Sequence, residues 1–80
     1  MEESKPAEAI DALGLKCPEP VMMLHAAMRR LKPGEELTLE ATDPSTERDV
    51  VNFCEFLGHT LLISERRDEI YFYRIRKSLG

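Results

Sequence analysis

Glu36-Leu37-Thr38-Leu39-Glu40-Ala41-Thr42 alternates polar and apolar side chains along its whole length. A period of two marks a β-strand with one face buried and the other wet. A sheet built around such a strand has one apolar face to cover, so the helices that flank it in sequence must pack on the same side. Upstream, Val21, Leu24, Met28 and Leu31 follow one face of a helix over 18–31, and Pro33-Gly34 stops it. Downstream, Asp43-Pro44 supplies a capping carboxylate and a proline for the first helical position, and Val50, Phe53, Cys54 and Leu57 share a face until Gly58.

A short extended segment over 9–13, ended by Gly14, precedes the first helix, and residues 1–7 read as a loose terminus. Beyond the second helix, 60–64 and 70–75 are rich in β-branched and aromatic residues. The charged stretch 65–69 between them suits a hairpin connection, which predicts an antiparallel pair. Tyr71, Tyr73 and Ile75 keep their apolar period longer than Ile70 and Phe72, so they are expected to face inward. The expected fold is α/β: a two-layer βαβαββ sandwich, with a mixed four-stranded sheet and two helices on one face. Residues 8–80 should form a single domain.

The 80 residues allow one modest core and leave no room for a separate cofactor domain, so no cofactor is expected. A formal charge of −4 opposes phosphate backbones and anionic membranes, which makes proteins the expected partners of a monomer. No apolar run approaches the roughly 20 residues of a membrane span. The acidic start also lacks the apolar core of a secretory signal, so the cytoplasm is the expected location. There the two cysteines should be free thiols.

Cys17 lies where the first strand's connection meets the first helix, in Gly14-Leu15-Lys16-Cys17-Pro18-Glu19-Pro20. With Pro18 at the first helical position, Cys17 is the N-cap and its sulfur sits at the positive end of the helix dipole, which favours the thiolate. Lys16 supports that bias and Glu19 opposes it. Pro18 and Pro20 lack N–H groups, so they withhold donors from an anion while fixing the backbone that presents it. The expected thiol is presented and only mildly activated. A cysteine without context is more often a small core hydrophobe, and Cys54, on the apolar face of the second helix, is assigned that role.

Met22 and Met23 fall away from the Val21-Leu24-Met28-Leu31 stripe, so they are expected to lie exposed beside Cys17 as a deformable docking patch. Arg29, Arg30 and Lys32 complement the end of the first helix. Arg66, Arg67, Arg74, Arg76 and Lys77 read as solvated charge, with the last three able to guide an acidic partner. His25 stands about 12 Å along the helix from Cys17, too far to be its general base. Two histidines and two scattered cysteines match no zinc-ligand spacing, so no metal is expected.

The run 13–23, Leu-Gly-Leu-Lys-Cys-Pro-Glu-Pro-Val-Met-Met, resembles the signature of the TusA/SirA sulfur-carrier family. The resemblance extends through Lys32-Pro33-Gly34-Glu35, Asp43-Pro44-Ser45-Thr46 with Asp49, Phe53-Cys54 and Arg74-Ile75-Arg76-Lys77. It implies a fold like the C-terminal domain of a bacterial translation initiation factor. It also implies a function, in which Cys17 accepts persulfide sulfur from a cysteine desulfurase and passes it to a downstream relay protein. In the TusA branch, which the Met22-Met23 pair resembles, the sulfur ends in 2-thiouridine at the tRNA wobble position or is diverted to molybdenum cofactor assembly. A thiol-disulfide oxidoreductase fits poorly, because Pro20 stands where a resolving cysteine would be. A non-catalytic interaction or regulatory module is the remaining alternative, with Cys17 incidental.

Overall fold

The computed structural model describes residues 5–79. Its elements run β1 (Glu8–Ala12), α1 (Glu19–Arg30), β2 (Glu36–Ala41), α2 (Thr46–Leu57), β3 (Thr60–Arg67) and β4 (Ile70–Arg76). Of the expected loose terminus, residues 1–4 lie outside those described, whereas the Ala7 N–H already donates to the Glu36 carbonyl at 2.7 Å. The sheet order is β1-β2-β4-β3, with β1 parallel to β2 and both β2/β4 and β4/β3 antiparallel. This is the mixed βαβαββ sandwich read from the sequence.

The register explains why both helices share one face. Ile10 pairs with Leu39, Leu39 with Tyr73, Leu37 with Ile75, and Ala41 with both Ala12 and Tyr71. All of these side chains are buried, and they join Leu24, Ala27, Met28, Leu31, Val50, Phe53 and Cys54 of the helical layer in one core. On the other face Asp11 pairs with Glu40 and Glu40 with Phe72, in the polar period expected of β2. Tyr71, Tyr73 and Ile75 do point inward.

Several boundaries differ from the sequence reading for identifiable reasons. β3 extends to Arg67, because its pairing with Ile70 across the Asp68-Glu69 turn leaves charged side chains in solvent, where they cost the strand little. The buried stripe of α1 is Pro20, Leu24, Ala27 and Met28, continued by Leu31, and so is centred between Leu24 and Ala27. Val21 and Met23 then lie on opposite shoulders of the helix, and both are half-buried against the core. The expectation that Met23 is exposed is therefore corrected, since the β1 edge lies beneath that shoulder and Met23 shares a crevice there with Ala9 and Ile10. Leu57, expected in the core, is 40% exposed.

Candidate functional site

The parallel pairing of β1 and β2 brings the carboxyl ends of both strands to one edge of the sheet. Each chain segment leaving that edge begins a helix, so the loop before α1 and the turn before α2 are neighbours. Such an edge is where open α/β sheets usually place their functional groups. Two hydrogen bonds tie the segments together. The Gly14 N–H donates to Thr42 Oγ1 at 2.9 Å, and the Cys17 N–H donates to Asp43 Oδ2 at 2.6 Å. Gly14 has φ +80°, a left-handed conformation that a side chain would strain.

Asp43 holds this junction. Its other carboxylate oxygen, Oδ1, accepts the Ser45 N–H at 3.0 Å, while its carbonyl accepts both the Thr46 N–H at 3.0 Å and the Thr46 hydroxyl at 2.7 Å. Asp43 therefore caps a tight turn through Pro44 and Ser45 that leads into α2, one turn ahead of the regular helix at Thr46. The N–H groups of Ser45 and Cys17 hold the Asp43 carboxyl below the usual carboxylate range.

Cys17 is exposed and free, and it lies outside α1 rather than at its N-cap. Pro18 occupies the cap, Glu19 starts the helix, and Pro20 is buried at the second position. Of the donors near the helix start, the Glu19 N–H goes to the Lys16 carbonyl at 2.8 Å and the Met22 N–H to the Pro18 carbonyl at 3.0 Å. The sulfur meets a carboxylate instead: its thiol donates to Asp49 Oδ2 at 3.3 Å. That hydrogen bond, followed by desolvation and the charges of Asp49 and Asp43, pushes the Cys17 thiol above its ordinary value, with Ser45 opposing. The expected bias toward thiolate is thus reversed, because the helix begins one residue later than expected, which leaves Cys17 outside its cap, and two acidic groups arrive from the neighbouring segment.

A groove of about 350 Å³ runs from Cys17 between the helices, lined from α1 by Val21 and His25 and from α2 by Asn52, Phe53, Phe56 and Leu57. Phe56, on this groove, is 89% exposed, and Met22, which follows Val21 on α1, is 60% exposed, so both leave large apolar surface in water. His25 stands edge-on to Phe53, with ring centroids 4.8 Å apart, so it belongs to the groove wall. Cys54 is buried on the opposite side of α2, where desolvation pushes its thiol up to about 11.

Arg48 reaches the site, its Nε 3.9 Å from Asp49 Oδ1, and Lys16 acts on Asp43, but other basic residues are spent elsewhere. Arg30 pairs with Glu8 at 3.1 Å and Arg74 with Glu36, while Lys77 donates to the Leu31 carbonyl at 2.6 Å. The 74–77 segment adjoins the start of β2, at the far end of the sheet from Cys17. Asp49 at the thiol and Phe56 on the groove were not singled out by spacing. The only local signal for Phe56 is an aromatic residue off the apolar stripe of its helix. The signal for Asp49 lies in the topology, since parallel β1 and β2 require the two helix starts to meet.

The same arrangement of elements occurs in known proteins. The crystal structure of a SirA-like protein from Desulfitobacterium hafniense superimposes with a TM-score of 0.78 at 24% identity, covering 89% of this chain and 97% of that one. The sulfur carrier protein TusA of Pseudomonas putida (strain W619) is 52% identical over 77 residues, 96% of either chain. The model of the family described as sulfurtransferase TusA matches residues 8–77. With a family match and a relative of this identity both spanning nearly the full length, the chain belongs to the TusA sulfurtransferase family.

Proposed function

We propose that this protein is a cytoplasmic sulfur carrier that accepts sulfur as a persulfide on Cys17 from a cysteine desulfurase and delivers it to a downstream relay protein. The observation that carries the reading is the contrast between the two thiols of the chain. Cys17 is exposed at the mouth of an apolar groove, whereas Cys54 is sealed in the core. Transfer of sulfane sulfur needs one accessible thiol and no resolving partner, and Pro20 occupies the position a Cys-x-x-Cys pair would need. Lys16, Pro18, Glu19 and Pro20 support the sulfur by fixing the loop and helix start around it.

The groove with Phe56, together with the exposed Met22 of α1, forms the proposed docking face for donor and acceptor; Met23 contributes only its half-exposed edge. The destination we propose is the one the TusA resemblance implies, tRNA wobble-uridine 2-thiolation, the matched family and the Pseudomonas relative both being TusA. Molybdenum cofactor assembly is the second branch. Deleting the gene and restoring it as wild type or Cys17→Ser tests both. Loss of 2-thiouridine that only wild type repairs is the expected result, and a defect confined to molybdoenzymes would move the assignment to the second branch. Full repair by Cys17→Ser would instead favour a non-catalytic interaction module.

A further inference from the structure

The groups around the Cys17 sulfur differ in what they can do with a proton. Asp49, in the first turn of α2, accepts the thiol hydrogen at 3.3 Å. Asp43, in the turn before α2, adds a second carboxylate whose oxygens are taken by the Cys17 and Ser45 N–H groups, and Lys16 attracts it electrostatically. The Ser45 hydroxyl oxygen is buried and, among the described residues, has no partner at hydrogen-bond geometry. It nevertheless lies near enough to the sulfur to favour its anion. Glu19 follows on the same chain, and His25 of α1 stands farther along the groove. Arg48, largely in solvent, stands 3.9 Å from the other Asp49 oxygen, Oδ1, so a neutral S–H at this position finds an acceptor, whereas an anion meets two carboxylates, one of them partly screened by that guanidinium, and one reserve hydroxyl.

We propose that Asp49 is a positioning residue that makes the site respond to its own cargo, tying down the empty Cys17 thiol and turning the outer sulfur of the loaded persulfide outward along the groove. The proposal rests on Cys17 being the carrier. In loading, the Cys17 proton passes to the Asp49 carboxylate as Sγ attacks the outer sulfur of a donor persulfide. A new S–S bond forms, the donor's S–S bond breaks, and its electron pair leaves on the donor cysteine as a thiolate. That thiolate takes up the proton held by Asp49, and the outer sulfur keeps its own hydrogen. A thiol and a persulfide become a persulfide and a thiol, with no net oxidation.

Persulfides are stronger acids than thiols, so the loaded group sheds its remaining proton to water where the empty one would not. The charge then sits on the outer sulfur, and Coulomb repulsion by Asp49 and Asp43 drives that sulfur away from the start of α2 and along the groove, toward Val21 of α1 and the exposed ring of Phe56 near the other end of α2. The empty thiol is held protonated against Asp49 until a donor persulfide engages it, and the loaded one offers its sulfur where a partner can reach it.

The test compares wild type, Asp49→Asn and Asp49→Glu, each checked for folding by circular dichroism. Iodoacetamide, which is neutral, reports each sulfur, and peptide mass mapping separates Cys17 from Cys54. For the empty proteins, the Asn variant should titrate at lower pH than wild type and react several-fold faster at neutral pH, with Glu restoring the wild-type profile. For proteins loaded from glutathione persulfide and labelled where the persulfide is fully ionised, the outer sulfur should react several-fold more slowly in the Asn variant. An unmoved midpoint in folded Asp49→Asn, or equal outer-sulfur rates, overturns the proposal. Wild type that takes up no sulfur overturns the carrier reading and the loaded half together, while the empty-thiol titration still judges the Asp49 contact alone.

Discussion

Replacing Thr46 by valine tests how the core supports the turn beneath Cys17. Thr46 is 1% exposed and Tyr73 0%, and their hydroxyl oxygens are 2.9 Å apart. The Thr46 hydrogen is committed to the Asp43 carbonyl at 2.7 Å, so Tyr73 must be the donor to Thr46. Desolvation holds the Tyr73 phenol above its ordinary value, which keeps it protonated for that role. Thr46→Val preserves shape but strands the Tyr73 hydroxyl in the core, at a cost of about 2.5 kcal/mol, whereas Tyr73→Phe removes one hydrogen bond and costs about 1 kcal/mol. In the double variant no hydroxyl is stranded, and the cost should be about 2 kcal/mol, below the sum of the single effects by about 1.5 kcal/mol. With a urea slope of about 1 kcal/mol per molar for a domain this small, the midpoints should fall by about 2.5, 1 and 2 M. Additive losses, or a Thr46→Val variant no less stable than Tyr73→Phe, would refute the hydroxyl chain.

Cys54→Ala should cost about 1 kcal/mol for the small cavity and leave sulfur loading intact, as measured by urea unfolding and intact mass. Its pH dependence has a definite sign. A thiol raised from 9.0 to about 11 in the fold stabilises fully below the lower value, and that contribution is lost as pH climbs through the higher one. Cys54→Ala should therefore flatten the stability decline across that interval. Met22→Glu and Phe56→Glu, at exposed positions, should change stability by no more than about 0.5 kcal/mol yet slow sulfur transfer from a desulfurase, because a partner would have to desolvate the new charge. Unchanged transfer rates would remove these side chains from the docking face.

The fold was legible because its signals are periodic. The alternation through Leu37, Leu39 and Ala41 and the odd set of β4 each fix a face, and the register pairs them as that pattern requires. The surroundings of Cys17 were legible only in part, because they depend on contacts between segments 26 and 32 residues apart in sequence. Residues near the cysteine in the chain, Lys16 and Glu19, suggested a balanced, dipole-biased thiol. Residues near it in space, Asp43 and Asp49, reverse that bias. Pro20 and Ala27 were missing from the predicted stripe of α1, so its centre was misplaced and Met23 was assigned to water. A small or cyclic side chain carries little hydropathy signal although it sits at the centre of a packed face.

The most direct measurement of the central claim is the intact mass of wild type, Cys54→Ala and Cys17→Ser after incubation with a cysteine desulfurase and cysteine, before and after mild reduction. Cys17 lies outside the helix and serine can replace its thiol as donor to Asp49, so Cys17→Ser should fold as wild type does. The hydroxyl cannot hold sulfur as a persulfide. Wild type and Cys54→Ala should each gain one sulfur that the reductant removes, and Cys17→Ser should gain none. A labile sulfur on folded Cys17→Ser, or its absence from wild type, would contradict the account.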